Sequence, residues 1–423
     1  MQTAFAFGKT GLTVSLPDGP RYSVVEGRSA VALADSASAI GAALDRPIGS
    51  KPLAELAAGK RTAAISVCDI TRPAPNHLTL PPLLERLHAA GIPVDGVTIL
   101  IATGLHRCAT GDEIKSILGR EIAARYRVVN HDARVMADHR SLGATASGTP
   151  VYIDRRFLDA ELHITLGFIE PHWMLGFSGG RKLIAPGLAA QQTIQVLHSP
   201  CFMREPLANE GSVEGNPLHA ELLEVVRMAR HDFLLDVALT QQRAICGVFA
   251  GAPEPAHAAG VDFVRSSTIT RVPQFFDAAI ASAAGHPLDL TFYQSLKGIH
   301  AAHHIVRPGG KILLLCECAE GIGSPEFAAM LRSYAGAQQF LDQIARAPVV
   351  IDQWQLEKIA LAGLRNEILI YTPGVSPQQI GALGEHCFSD VNQAVAALLD
   401  GLPTGARVAL IPDGPYAFAQ VAE

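Results

Sequence analysis

Short, nearly continuous apolar runs alternate with amphipathic helical stretches from about residue 61 onward. That alternation restricts the chain to an α/β fold. Residues 62–68 (TAAISVC), 97–102 (VTILIA) and 162–168 (LHITLGF) read as buried strands, because a parallel sheet covered on both faces leaves no side for polar residues. Helical patterns at 83–90 and 112–118 separate some of them. A second set begins near Phe276 with FFDAAIASAA, and continues through KILLLCEC, NEILIYT and RVALIP. The pattern predicts two α/β lobes with mostly parallel sheets. Residues 1–270 form an N-terminal domain, 251–275 (GAPEPAHAAG, then a short helix and RVP) read as the link, and 275–423 form a C-terminal domain. The last strand, near Arg407, can pack on either lobe. The N-terminal MQTAFAFGKTGLTVSLPDG reads as a hairpin.

A length of 423 residues is enough for two or three full cores. With 48% hydrophobic and 17% charged residues, the composition is that of an ordered globular chain. A net charge of −6 gives no footprint for nucleic acid or a membrane surface. No apolar run approaches the roughly 20 residues that span a bilayer. The N-terminus lacks a basic start followed by an apolar core, so a cytoplasmic location is expected. Seven cysteines without framework spacing fit reduced thiols. Cys316 and Cys318 are expected on one face of a strand, as two buried thiols in preference to a metal pair.

Residues 170–198 carry the densest chemistry. His172 follows a predicted strand, Lys182 follows the turn Ser178-Gly179-Gly180, and His198 lies where a helix should end. Lys182 beside such a turn reads equally as a phosphate clamp, a surface lysine or a covalent anchor. His198 is a candidate metal ligand. Asp69 and Arg72 come just after the first strand, His106 just after the second and His172 just after the third. Open α/β sheets bind ligands beyond the carboxyl ends of their strands, so these groups converge if the strands are parallel neighbours. Two histidines can act as general acid and base, and an arginine can grip a carboxylate. Tyr293 to Lys297 (YQSLK) opens a predicted helix on which Gln294 and Lys297 share a face, and these can meet an anion from across an interdomain cleft.

His77, His88, His139, His163, His219 and His303 read as surface or satisfied core histidines, and Trp354 alone reads as a core cap. Neither a Walker sequence nor a well-placed G-x-G-x-x-G occurs, and H-E-x-x-H is absent as well.

Seven blocks in order then resemble the nickel-dependent lactate racemase family. They are DITRP at 69–73, TGLHR at 103–107, EPH at 170–172, GFSGGRK at 176–182, His198, YQSLK at 293–297 and DQWQ at 352–355. The resemblance implies a racemase or epimerase of lactate or another 2-hydroxy acid. It also implies a cofactor, a nickel pincer on pyridinium-3,5-bisthiocarboxylic acid mononucleotide, bound covalently to Lys182 and supplied by pincer-synthesis enzymes. In that reading His198 ligates nickel, and His106 and His172 are the catalytic pair. Asp69, Trp354, Ser178 and Gly179 line the cofactor, while Arg72, Gln294, Lys297 and Tyr293 bind substrate. Reaction by reversible hydride transfer is implied, since removing the α-hydrogen as a proton would place a second negative charge beside a carboxylate. Trp173 and Met174 lean toward an apolar or compact substrate side chain, and Arg181 or Arg107 are candidate partners for an added carboxylate. Two other readings are a metal-dependent hydrolase with histidine ligands, which leaves Lys182 without a role, and a non-catalytic binding protein for an anionic metabolite.

Overall fold

The structure, a computed structural model, describes residues 1–422. The chain divides into two compact units, one of Ser29–Ser267 and one that combines Met1–Arg28 with the residues from Thr268 onward. Each has a six-stranded sheet. In chain order the sheet strands are β1 (Arg21–Val24), β2 (Ala63–Cys68), β3 (Val97–Ala102), β4 (Arg127–Asn130), β5 (Leu162–Phe168), β6 (Phe233–Leu239), β7 (Ile245–Gly251), β8 (Phe276–Ser282), β9 (Val306–Leu315), β10 (Glu367–Tyr371), β11 (Cys387–Phe388) and β12 (Arg407–Ile411).

In the Ser29–Ser267 unit the strand order is β7-β6-β5-β2-β3-β4. All neighbours run parallel except β7, which returns antiparallel beside β6. Every residue of β2 and β5 is buried, as their apolar sequences require. The chain builds outward from β2 in one direction through β3 and β4, and in the other through β5 and β6. The order therefore reverses between β2 and β5, and such a reversal opens a crevice at the strands' carboxyl ends.

In the other unit the order is β11-β10-β9-β8-β12-β1, parallel throughout. Here the order reverses between β8 and β12. The predicted N-terminal hairpin is present as Gln2–Phe5 paired antiparallel with Leu12–Ser15. Its Phe5, Val14 and Leu16 are buried with Ile280, Leu313 and Leu410 of this sheet.

Three expectations differ from this architecture. Met1–Arg28 lies with the C-terminal strands, because β1 pairs with β12 from Arg21↔Arg407 to Val24↔Leu410. β12 is accordingly an interior strand of that sheet, between β8 and β1. The stretch read as a link with a short helix is largely one sixteen-residue helix, Pro253–Thr268, which takes in most of GAPEPAHAAG. Its prolines, 253 and 255, sit in the first turn where a missing N–H costs nothing, and Ala256, His257, Gly260, Val261 and Val264 form its buried stripe. Cys316 and Cys318 lie just past β9 and are not a strand pair, since Cys318 adopts φ 55°. Both are buried free thiols, as expected.

Candidate active site

The three strands expected to be parallel neighbours are so, in the order β5-β2-β3. Asp69 and Arg72 follow the carboxyl end of β2, His106 that of β3 and His172 that of β5. Asp69 Oδ2 accepts a hydrogen bond from His106 Nδ1 at 2.7 Å, and Asp69 Oδ1 accepts one from the Thr71 hydroxyl at 2.7 Å. Burial alone would raise the Asp69 pKa, but the His106 bond and the nearby charges of His106 and Arg72 hold it at about 2. A carboxylate can only accept, so Nδ1 of His106 carries a proton and Nε2 is left as the exchangeable nitrogen. His106 is 41% exposed at its side chain, so that nitrogen is reachable. Arg72 is half-buried, its guanidinium donating to Thr71.

Lys182 sits in a tight helical turn, Gly180–Leu183, whose placement is fixed from several sides. The Ser178 hydroxyl donates to the Phe168 carbonyl at 2.9 Å and accepts from the Glu170 N–H at 3.0 Å, which ties the turn to the end of β5. Ser66 of β2 donates to the Leu183 carbonyl at 2.7 Å. Gly179 has φ 85° and Gly180 φ 45°, and a Cβ on Gly179 would collide with the Asp236 carboxyl. Asp236 instead accepts from the Gly180 N–H at 2.8 Å. Burial pushes the Asp236 carboxyl up to about 7 despite that bond and the charge of Arg181. Such a carboxyl is a structural support for the turn and a weak anion.

His198 caps the C-terminus of the helix Gln191–Leu197, as expected. Burial, with Lys182 and His106 adding positive charge nearby, pushes its pKa down to about 4. At neutral pH it is an uncharged imidazole, the form that coordinates a metal. Cys68, influenced by Asp69, Arg72, Asp236 and Lys182, is pushed up to about 12, chiefly by burial, and is therefore not a nucleophile. His172 pairs with Gly176 on a two-stranded ribbon formed by Pro171–His172 and Gly176–Phe177, with Trp173 and Met174 buried in its turn.

Arg181 and Arg107 do not stand ready for a second substrate carboxylate. Arg181 is 3% exposed and donates to the carbonyls of Leu175 and Phe177, because its side chain turns into the protein behind the glycine turn. Arg107 forms a two-pronged pair with Glu113, at 2.6 and 2.7 Å.

In the other unit, Phe292–Ser295 and Lys297–His303 follow the carboxyl end of β8, beside that sheet's own reversal. Lys297 Nζ donates to Gln294 Oε1 at 2.5 Å, which confirms that the two share a face. The Tyr293 and Trp354 rings meet edge to face at 6.5 Å, and Gln355 donates to the Tyr293 carbonyl. Trp354 is in the first turn of the helix Gln353–Arg365, so it belongs to this cluster. Sequence reasoning missed Asp236 and His257. A lone acid inside the apolar strand FLLDVAL was a signal for the first, and the second was hidden in the presumed link.

An α/β chain with ionisable groups at the reversal points of two parallel sheets is of the kind that handles small molecules. Residues 7–211 match the lactate racemase N-terminal domain and residues 273–417 the lactate racemase C-terminal domain. A lactate racemase of Thermoanaerobacterium thermosaccharolyticum is 32% identical over 96% of each chain. One of Lactiplantibacillus plantarum is 34% identical over 88% of each. The solved lactate racemase apoprotein from T. thermosaccharolyticum superimposes with a TM-score of 0.90 at 30% identity over the full length of both chains. A Thermotoga maritima structure shares the fold, with a TM-score of 0.71 at 16% identity, covering 91% of this chain and 98% of its own. The chain belongs to the lactate racemase family, a family of isomerases.

Proposed function

We propose that this protein racemises or epimerises a 2-hydroxy acid, lactate or a close relative, with His106 and His172 as opposed acid and base. The observation that carries this reading is the Asp69–His106 pair at the crevice of β2, β3 and β5. It fixes the tautomer of a reachable imidazole, which is what a group alternating between base and acid requires. His172, from the neighbouring strand end, is the second proton carrier.

The residues present fit the family's nickel-bearing pyridinium nucleotide. Lys182 would hold it through a thioamide bond, and His198, buried and neutral, would ligate the nickel. When bound, that group supplies a reversible acceptor for the α-hydrogen of the substrate. The chain's own residues do the rest. Nε2 of His106 takes the hydroxyl proton of one enantiomer, and His172 returns a proton when the other forms. Arg72 holds the substrate carboxylate with a two-pronged guanidinium. Lys297, held by Gln294, supplies a second cation, and Tyr293 and Trp354 offer an aromatic surface. Buried Trp173 and Met174 keep the neighbourhood of His172 apolar, which favours a compact substrate. A hydrolase reading would leave Lys182 unused.

Chiral chromatography of lactate incubated with protein matured by pincer-synthesis enzymes tests the reading. Each of His106→Ala and His172→Ala should lose interconversion in both directions by a factor of about 10² to 10⁴. Full racemisation by both variants would refute the two-base scheme.

A further inference from the structure

The turn that carries His106 is gripped by the segment that follows β4, the strand beside β3. The His106 N–H donates to the Thr103 carbonyl at 2.9 Å, so Thr103 opens that turn. The Thr103 hydroxyl donates to the His131 carbonyl, and the His131 N–H donates to the Ile101 carbonyl at 3.2 Å. Arg134 donates to the Leu105 carbonyl at 3.2 Å. The Asn130 carboxamide accepts from the Ala109 N–H at 2.9 Å and donates to the Ala109 carbonyl at 3.0 Å. Thr103 and His131 are both buried.

His131 also belongs to a buried histidine pair. Its Nδ1 lies 3.2 Å from Thr103 Oγ1 and its Nε2 2.9 Å from His139 Nε2, while His139 Nδ1 lies 2.9 Å from the Val135 carbonyl. Protons can be counted along this chain of contacts. The Val135 carbonyl only accepts, so His139 Nδ1 carries a proton. The single Thr103 hydroxyl hydrogen goes to the His131 carbonyl, so a bond to His131 Nδ1 needs a proton on that nitrogen too. The Nε2···Nε2 bond needs a third, and two neutral imidazoles hold only two. Burial and the neighbouring His139 push the His131 ring down to about 3, so the third proton resides on His139. A counter-charge is in place. Arg156 donates to both oxygens of Asp154 and lies 3.0 Å from Asp138, two carboxylates against one guanidinium. Asp154 is the ladder partner of His139 and Asp138 its chain neighbour, and Asp132 is a further acid near His131.

We propose that His131 is a positioning residue for His106: with its proton held on Nδ1 by a doubly protonated His139, it fixes Thr103, and through Thr103 the turn that aims the His106 ring. This rests on the reading of His106 as an acid and base. Thr103 is then held from both sides, donating to the His131 carbonyl and accepting from the His131 ring. A hydroxyl so held cannot rotate, and the backbone that leads to His106 is fixed with it. Asp69 orients the His106 ring from one side of the turn, and His131 fixes the turn itself.

NMR of protein labelled with nitrogen-15 at histidine reads the proton on each ring nitrogen. The wild type should show His131 protonated at Nδ1, one proton correlated with both Nε2 atoms of the pair, and a low-field Nδ1 proton on His106, where Asp69 accepts. His131→Leu should broaden or abolish that His106 signal and lower the kcat of the matured enzyme roughly tenfold to a hundredfold, with KM little changed. His131→Asn, whose amide can donate to Thr103 from the place of Nδ1, should recover most of both. If His131→Leu does not fold, Thr103→Val, which removes the hydroxyl at nearly constant shape, repeats the test. The proposal is overturned if His131 Nδ1 is unprotonated in the wild type, or if the variant tested keeps the wild-type His106 signal and kcat. It is equally overturned if His131→Asn is as impaired as His131→Leu. The NMR measurement needs no turnover, so its failure is distinct from that of the reading of His106 as a base, which fails if His106→Ala racemises normally.

Discussion

Each of the two sheets reverses its strand order once, with different connectivity, and the two reversals carry different chemistry. At the reversal of the Ser29–Ser267 sheet, the groups suited to proton transfer and metal binding rest on buried acids. Asp69 orients His106, and Asp236 holds the turn that presents Lys182. At the reversal of the other sheet, the Tyr293, Gln294, Lys297 and Trp354 cluster is tied by an amide and by ring contacts. Parallel strands supply the crevice in both. The residues beneath it decide whether that crevice holds reactive groups in a set protonation state or simply offers polar and aromatic surface. The first job needs partners of defined charge, and the second needs only shape and a cation.

The difference can be broken most severely at Asp69. In Asp69→Asn the amide can donate to Nδ1 of His106, which moves the ring proton to Nε2 and removes the base. Turnover should fall by about 10² to 10⁴ with little change in KM, as steady-state kinetics in both directions would reveal. Because the Asp69 carboxylate stays ionised down to about pH 2, any acid loss of activity near pH 5 to 7 must come from another group. Lys297→Ala belongs to the binding side of the comparison. It should raise KM by roughly ten- to a hundredfold, the size of one charge-assisted hydrogen bond, and a drop in turnover with unchanged KM would place Lys297 among the reacting groups instead.

Asp236 gives a smaller effect that is read in stability. Asp236→Ala leaves the Gly180 N–H unpaired and should cost about 1–3 kcal/mol in denaturant melts, while Asp236→Asn keeps an acceptor and should cost less. The pH dependence sharpens this. The folded carboxyl titrates at about 7 and an unfolded one at about 4. Between those values the folded chain binds more protons than the unfolded chain, so wild-type stability should fall as pH rises from about 4 to about 7 and then level off. Asp236→Asn should lack that slope. Melting temperatures of the two proteins across this window check it, and parallel curves would mean that Asp236 is ionised in the fold.

The strands were legible because burial on both faces leaves an apolar run that no loop carries, and β2, β3 and β5 lie where TAAISVC, VTILIA and LHITLGF predicted. That Asp69, His106 and His172 follow the ends of neighbouring strands was legible only on condition of parallel pairing, since periodicity says nothing about which strands pair. For the same reason β1 was unreadable as a partner of β12, nearly four hundred residues away in sequence. The first half of the helix Pro253–Thr268 was read as linker ahead of a short helix, because two prolines and a run of small residues imitate one, although its buried stripe has helical spacing. Arg181 was read by charge alone. Its neighbours turn it into the protein, and no one-dimensional pattern records that direction.

Lys182 is proposed as the covalent anchor of the family's nickel nucleotide in this chain. Mass spectrometry of protein co-expressed with pincer-synthesis enzymes tests it directly. The expected result is an added mass confined to the Lys182 peptide and absent from Lys182→Ala. An unmodified Lys182 peptide in protein that still racemises lactate would contradict it.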